Sequence, residues 1–380
     1  MKVLNVNMTL DPIMGGGSAE RTFQLCKSLA KTGNDCVLMT TSIGLTLERL
    51  NALDGVQLEI LPIIWERFYL PWFSIKNLEK EIKSVEIIHV MTHWTLINAL
   101  VCKLARKFEK PYVVCPAGSL PIYGRSKQIK QLYNWLVGKN NIRSAKGWIA
   151  ISENEIPQFV SYGIDSEKVS TIPNGIDPEN FKDYDVDEFR RKNDLGDHPF
   201  ILFLGRLNHI KGPDLLLEAF GKIQTQFPKY HLVYCGPDNG MENQLKIMVQ
   251  DFKLGGRVHF LGYTGGKNKS SAYRAADLVV IPSRQEAMSI VVLEAGIAGK
   301  PVLLTDQCGF DIVSTIDGGR ITQANVDGLQ DGLRQILRDP LKLAWMGKNL
   351  EKFTLENFCW DSIVKKHLNY FEEILRNNKK

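Results

Sequence analysis

The chain has 380 residues, 44% of them hydrophobic and 23% charged, with a formal net charge of +5. That length exceeds what one ordinary core supports and suits two domains. The charge excess is too small to argue nucleic-acid binding, which needs a basic stripe, and no stretch approaches the roughly 18 apolar residues of a membrane-spanning helix.

Short β-rich apolar runs alternate with helical periodicity from the start of the chain, which argues parallel α/β architecture. Met1 to Leu10 runs straight into a strand pattern without the basic start, apolar middle and small-residue cleavage site of a signal peptide, so a cytoplasmic protein is expected. Val3 to Val6 reads as a strand, Ala19 to Lys31 as a helix and Cys36 to Thr40 as the next strand. Glu86 to Val90, Tyr112 to Cys115 and Gly147 to Ile151 continue the series. The turn-rich Ile172-Pro173-Asn174-Gly175-Ile176-Asp177 is followed by a polar, acidic stretch, Asp183 to Asp197, which reads as a linker and puts a domain boundary near residue 178. A second open sheet follows in Phe200 to Leu204, Leu232 to Cys235, Val258 to Leu261, Leu278 to Ile281 and Pro301 to Thr305. From Phe358 onward Ile363, Val364, His367, Leu368, Phe371 and Leu375 recur at helical spacing, giving an amphipathic terminal helix. The seven cysteines, Cys26, Cys36, Cys102, Cys115, Cys235, Cys308 and Cys359, show no paired spacing and read as reduced packing residues.

Chemistry concentrates after the strand Leu278 to Ile281, in Ser283-Arg284-Gln285-Glu286-Ala287-Met288-Ser289-Ile290-Val291-Val292-Leu293-Glu294-Ala295-Gly296. Open α/β sheets bind ligands at such strand ends. Ser289 to Ala298 is an apolar helix with one carboxylate, Glu294, which is costly to bury unless something polar such as ribose hydroxyls meets it. The alternative is a packing helix with Glu294 reaching solvent. The amides of Met288, Ser289 and Ile290 open that helix and offer a cradle for phosphate. Arg206, in Gly205-Arg206-Leu207, and Lys211, in Lys211-Gly212-Pro213, follow the strand Phe200 to Leu204, where two cations are placed to neutralise a diphosphate and stabilise it as a leaving group, the alternative being solvated surface cations. In the first half Gly15, Gly16 and Gly17 precede a helix, but neither the dinucleotide spacing nor a phosphate-loop lysine motif is present. Asp183, Asp185 and Asp187 lie in the linker and not after a strand, so no metal is expected.

These pieces resemble the retaining family 4 glycosyltransferases, bacterial enzymes of the GT-B fold. The resemblance covers nearly the whole length: Gly15 to Gly17, Ile172 to Asp177, Gly205-Arg206 with Lys211-Gly212, Glu286 and Glu294, then Pro301-Val302 and Gly309. It implies two Rossmann-like domains facing across a cleft: an acceptor-binding domain, 1–178, completed by a helix in 358–380 that packs back on it, and a donor-binding domain, 179–357. Glu294 would hold the donor ribose, Glu286 would face the transferred sugar, and Arg206 and Lys211 would bind the diphosphate. Gly16, Gly17, Met288, Ser289 and Ile290 complete the donor set. The implied activity is retaining transfer from a UDP- or GDP-sugar to a glycan or lipid-linked acceptor in surface polysaccharide or glycoconjugate biosynthesis, without a cofactor. Two positions depart from the pattern. Met288-Ser289 stand where the family often has Phe-Gly, and Ala117-Gly118 where it often has His-Gly, which leaves His93 as the candidate histidine on the acceptor side. A nucleotide-sugar epimerase of the same fold, or an inactive nucleotide-sugar-binding homologue, are the competing readings.

One block stands apart from the rest. From Lys110 to Ser152 there is no Asp or Glu, while Arg125, Lys127, Lys130, Lys139, Arg143 and Lys146 gather beside Tyr123, Tyr133 and Trp135. Ile129, Leu132, Tyr133, Leu136 and Val137 share one helical face, which is expected either to meet the core or, with the segment 125–146 and the aromatic run Trp65, Phe68, Tyr69, Trp72 and Phe73, to dock an anionic membrane surface from the cytoplasmic side.

Overall fold

The computed structural model describes residues 1–11, 14–65, 70–122 and 126–378. Phe68 and Tyr69, and Tyr123 and Arg125, from the sequence reading lie outside the described residues. The chain divides into two compact units, Met1–Gly175 with Trp360–Lys380, and Ile176–Cys359. Among the described residues no helix is long and apolar enough to cross a membrane.

The first unit contains β1 (Lys2–Val6), β2 (Asp35–Thr41), β3 (Val56–Leu61), the short antiparallel pair β4 (Ile63–Trp65) and β5 (Leu70–Pro71), then β6 (Ile87–Met91), β7 (Tyr112–Cys115), β8 (Gly147–Ala150) and β9 (Val169–Thr171). Seven of them form a parallel sheet in the order β3-β2-β1-β6-β7-β8-β9. Its central strands β6 and β7 are buried along their whole length and mostly apolar because a parallel sheet is covered on both faces. The polar exceptions answer one another: Asn5 and His89 face in register, and Asn5 Oδ1 meets His89 Nδ1 at 3.0 Å.

The second unit contains β10 (Phe200–Leu204), β11 (His231–Cys235), β12 (Val258–Phe260), β13 (Leu278–Ile281), β14 (Val302–Thr305) and β15 (Gly319–Thr322), all parallel in the order β12-β11-β10-β13-β14-β15. The strand order in each sheet reverses once, between β1 and β6 and between β10 and β13. Those reversals are the points where connections leave in opposite directions and a crevice opens at the strand ends.

The stretch expected to be a linker, Asp183 to Asp197, is instead folded into the second unit. Val186–Lys192 is a helix capped by Asp185, whose carboxylate accepts from Glu188 N at 2.9 Å; Phe189 is buried, and Arg190 donates to the carbonyl oxygens of Gly196, His198 and Ala275. Capping and one apolar anchor suffice where composition alone suggests a spacer.

The terminal helix, Trp360–Asn378, buries Trp360, Ile363, Val364, His367, Phe371 and Ile374 in the first unit. At about 1.5–3 kcal/mol for each fully buried large apolar side chain, this helix is part of that unit's core. Arg21, in the helix Gly16–Lys31, ties it in. Its fully buried guanidinium donates to Ile172 O at 2.9 Å, Pro173 O at 2.7 Å and Asn174 Oδ1 at 2.9 Å, and lies 3.3 Å from His367 Nε2. Replacing it by Met leaves several buried acceptors without a donor, each costing about 1–3 kcal/mol. Arg21→Met is therefore expected to destabilise the protein by about 3 kcal/mol or more in denaturant unfolding, and a loss below about 1 kcal/mol contradicts the assignment.

Candidate active site

In the second unit the exits of β10 and β13, on either side of the strand-order reversal, carry the charged candidates. After β10 the chain turns at Asn208, whose side chain accepts from Lys211 N at 3.0 Å, and enters the helix Pro213–Ile223 through Gly212. Gly212 has φ +67°, and a Cβ there would sit 2.1 Å from Pro282 O, so only glycine lets this turn press against the exit of β13. Gly309 plays the same part on the other side, with φ +64° and room for no Cβ within 2.2 Å of Ala287 O.

This brings Lys211 and Glu286 together, Nζ to Oε1 at 2.9 Å, with the Ser283 hydroxyl donating to the same carboxylate oxygen. The pair holds both side chains in one arrangement before any ligand arrives. Arg206 is the contrast: its guanidinium is exposed and, among the described residues, has no hydrogen-bond or ion-pair partner. One side of this site is thus a satisfied ion pair and the other an open cation.

A second clamp went unseen in the sequence. Arg284 makes a two-point contact with Asp214, 2.8 and 2.6 Å, and donates to His209 O at 2.7 Å, while its own amide donates to Ile210 O. Burial pushes the Asp214 carboxyl up, but the hydrogen bonds and charge of Arg284 outweigh it and leave the group below its ordinary range. Planar two-point pairing of this kind fixes direction as well as distance.

The helix expected over Ser289 to Ala298 runs Ile290–Ile297, with Ser289 as its cap. Of the three amides expected to cradle phosphate, that of Ser289 is already donated to Cys308 O at 3.1 Å, and the side chains of Met288 and Ser289 are buried, so those positions offer backbone at most. Glu294 is largely buried and does not extend out to solvent. Its Oε1 accepts from Lys269 Nζ at 2.7 Å and its Oε2 from the Tyr273 hydroxyl at 2.6 Å. Neither partner was singled out from the sequence, although their four-residue spacing just before β13 places both on one helical face.

In the first unit Gly16 and Gly17 open the helix after β1, with Gly15 as its cap. His93 follows β6, but its side chain is buried and its Nε2 is held by Asn134 Oδ1 at 2.9 Å. Burial lowers its pKa to about 4, with the Asn134 contact opposing. The expected acceptor-side histidine is thus a packed residue, enclosed by Trp94, Tyr133 and Tyr162. At Ala117-Gly118 the backbone takes positive φ, and Gly118 N donates to Glu155, a buried carboxylate that also accepts from Ile151 N at 2.7 Å and that the sequence reading passed over.

The segment 127–143 is a helix with one wide π-type turn, Asn134–Gly138. Its apolar stripe does not meet the core: Ile129, Leu132 and Leu136 are 57, 54 and 59% exposed, and Trp135 is 78% exposed. Tyr133 and Asn134 turn inward instead, Tyr133 donating to His93 O and Asn134 to the Tyr162 hydroxyl. Lys127, Lys139 and Lys146 are exposed, whereas Lys130 lies over the Trp94 ring and Arg143 donates to Tyr162 O. Trp65 and Trp72 are exposed as well, and Phe73 packs on the core. Among the described residues no three His, Cys, Asp or Glu side chains are grouped to hold a metal ion.

Residues 185–353 match the family described as Glycosyl transferases group 1, and residues 15–180 match Glycosyltransferase Family 4. The chain is 27% identical over 399 residues to an uncharacterized glycosyltransferase of Methanocaldococcus jannaschii, covering 98% of both. It is 28% identical over 242 residues to the D-inositol 3-phosphate glycosyltransferase of Gordonia bronchialis, 60% of this chain and 52% of that protein, so the match spans about half of that relative. In structure it is similar to Anabaena HepE in complex with UDP, with a TM-score of 0.76 at 18% identity, covering 98% of this chain and 100% of that one; at this identity the likeness concerns the fold.

Because its folded state favours neutral His93, that residue's contribution to stability is complete above pH about 6.5 and is lost as pH falls toward about 4. An NMR titration is expected to place the His93 midpoint near 4, and a midpoint near 6.5 contradicts the burial described here.

Proposed function

The chain belongs to the family 4, group 1 glycosyltransferases of the GT-B fold, and from that premise we propose that its second unit binds a nucleoside-diphosphate sugar whose sugar passes, with retention of configuration, to an acceptor bound by the first. The observation that carries this reading is the Lys211–Glu286 pair at the strand-order reversal of the second unit, with Arg206, which has no partner among the described residues, just after β10. Arg206 and Lys211 neutralise the diphosphate, and the charge that it gains as the glycosidic bond breaks falls on cations already in place. Glu286, an acceptor only, takes hydrogen bonds from the hydroxyls of the transferred sugar, and Glu294 takes those of the ribose. Retention follows when the acceptor oxygen bonds to the anomeric carbon on the face the diphosphate leaves, its proton passing to the departing phosphate oxygen. No cofactor or metal takes part in this scheme. UDP is the first nucleotide to test, since the structurally similar HepE holds it, with GDP next.

Losing a hydrogen bond to a charged group costs about 1.5–3 kcal/mol, roughly ten- to hundred-fold in affinity. Arg206→Ala and Glu294→Ala are expected to weaken nucleotide-sugar binding by that factor, and Lys211→Ala to lower kcat at saturating donor, because its cation acts most on the leaving group. A rise in donor KM alone for Lys211→Ala, or unchanged binding in the other two, overturns these roles. Release of free sugar from the donor marks a transferase, whereas an isomerised nucleotide sugar marks an epimerase.

The acceptor we assign is a glycan or a lipid-linked sugar at an anionic membrane surface, as in surface polysaccharide or glycoconjugate assembly. Its support is the exposed Ile129, Leu132, Trp135 and Leu136 in a segment that carries cations and no carboxylate. Near anionic lipid each cation contributes about 1 kcal/mol, enough for reversible attachment when an aromatic side chain inserts beside it. Co-sedimentation with anionic vesicles is expected to fall with salt, and roughly tenfold or more in Lys127→Glu/Lys139→Glu and in Trp135→Gln/Leu136→Gln. Equal recovery in the supernatant with neutral and anionic vesicles at low salt points to a soluble acceptor, with a polyol phosphate tested next.

A further inference from the structure

Glu294 does not stand alone on its helix, and what surrounds it goes beyond a generic ribose contact. The helix Gly266–Ala275 leads into β13 and carries Lys269 and Tyr273 one turn apart. Between them they engage both oxygens of the Glu294 carboxylate, at 2.7 and 2.6 Å. Each carboxylate oxygen accepts two hydrogen bonds, so among the described residues one site on each oxygen stays open. Two fixed donors on two oxygens also set the rotation of the carboxylate plane, which a single partner does not.

The donors are themselves held. Tyr273 is fully buried, and burial, followed by the charge of Glu294, raises its phenol well above the ordinary value, so it remains a protonated donor. The Lys269 ammonium lies 5.2 Å from the Phe181 ring centroid, and Phe181, itself buried, stands 6.2 Å from the Tyr273 ring. Phe181 belongs to the turn Pro178–Phe181 near the start of the second unit, and Ser270 of the same helix donates to Asn180 O at 3.2 Å.

We propose that Lys269 and Tyr273 are positioning residues that aim the Glu294 carboxylate at the two ribose hydroxyls of the donor, an inference that rests on the donor assignment above. A buried carboxylate without them is free to rotate or to turn toward solvent, and the loss is felt only by a ligand that has the hydroxyls.

The test uses the full chain and the nucleoside diphosphate that it binds among UDP, GDP and ADP, compared by calorimetry with the 2′,3′-dideoxy form of the same nucleotide. Glu294→Gln, Lys269→Met and Tyr273→Phe are each expected to weaken the ribonucleotide roughly tenfold and the dideoxy form less than about twofold, with kcat at saturating donor changed less than about twofold in the latter two. Lys269 is partly exposed, so Lys269→Met keeps the comparison decisive where Tyr273→Phe folds poorly. If Glu294→Gln discriminates between the nucleotides and neither Lys269→Met nor Tyr273→Phe does, or if those two weaken both nucleotides equally, the positioning role is overturned while the ribose assignment stands. If Glu294→Gln does not discriminate, or no nucleotide binds, the ribose assignment itself fails and the positioning role with it.

Discussion

The first unit is organised around a buried positive charge. Arg21 has no carboxylate at hydrogen-bond distance among the described residues, so it is stabilised by backbone oxygens, by Asn174 and by the proximity of a histidine nitrogen. A guanidinium removed from water is tolerated only with such a set of acceptors in place. That requirement fixes where the turn Ile172 to Asn174 lies against the helix Gly16–Lys31, and where the returning helix Trp360–Asn378 lies against both. It also fixes protonation. Burial, with the charge of Arg21, takes His89 down to about 3 and His367 well below its ordinary value, so both remain neutral and serve as acceptors or packing rings.

The second unit solves a different problem with pairs. Its two strand exits carry three charged contacts, Lys211 with Glu286, Arg284 with Asp214 and Lys269 with Glu294. Exposed pairs contribute little, but these are partly buried, and the Arg284 contact is bidentate with an added carbonyl acceptor. Their main effect is geometric. The loops after β10 and β13 are joined through Arg284 and through the close approach of Gly212 to Pro282, so a ligand that meets them meets a preset arrangement of charge.

Much of this was legible in the sequence because parallel strands buried on both faces are written as unbroken apolar runs, and Tyr112–Cys115, Phe200–Leu204 and Leu278–Ile281 were read at their observed limits. The strands passed over were at or near sheet edges: Val56–Leu61 alternates with polar residues, Val169–Thr171 is three residues long, and Gly319–Thr322 opens with glycine and arginine. At the site, Arg206, Lys211, Glu286 and Glu294 were found because strand exits can be located along the chain. Asp214, Arg284, Lys269, Tyr273 and Glu155 were not, since which group a carboxylate meets is decided by how separate elements pack. His93 and the Ile129 stripe show the same limit from the other side. Periodicity marks a face, and a lone histidine marks a nitrogen, but neither says what lies opposite.

The wide turn at Asn134–Gly138 carries a consequence for that face. A regular helix advances about 100° per residue, so one extra residue in a turn resets the phase of all that follows. Up to and within the turn, Ile129, Leu132, Trp135 and Leu136 look outward while Tyr133 and Asn134 reach in to the loop at His93; after it, Asn141 and Ile142 are buried. Shortening this turn by one residue would rotate the buried Asn141 and Ile142 that follow it against the exposed apolar face that precedes them, so the length of the segment, as much as its composition, decides what the first unit keeps inside and what it presents.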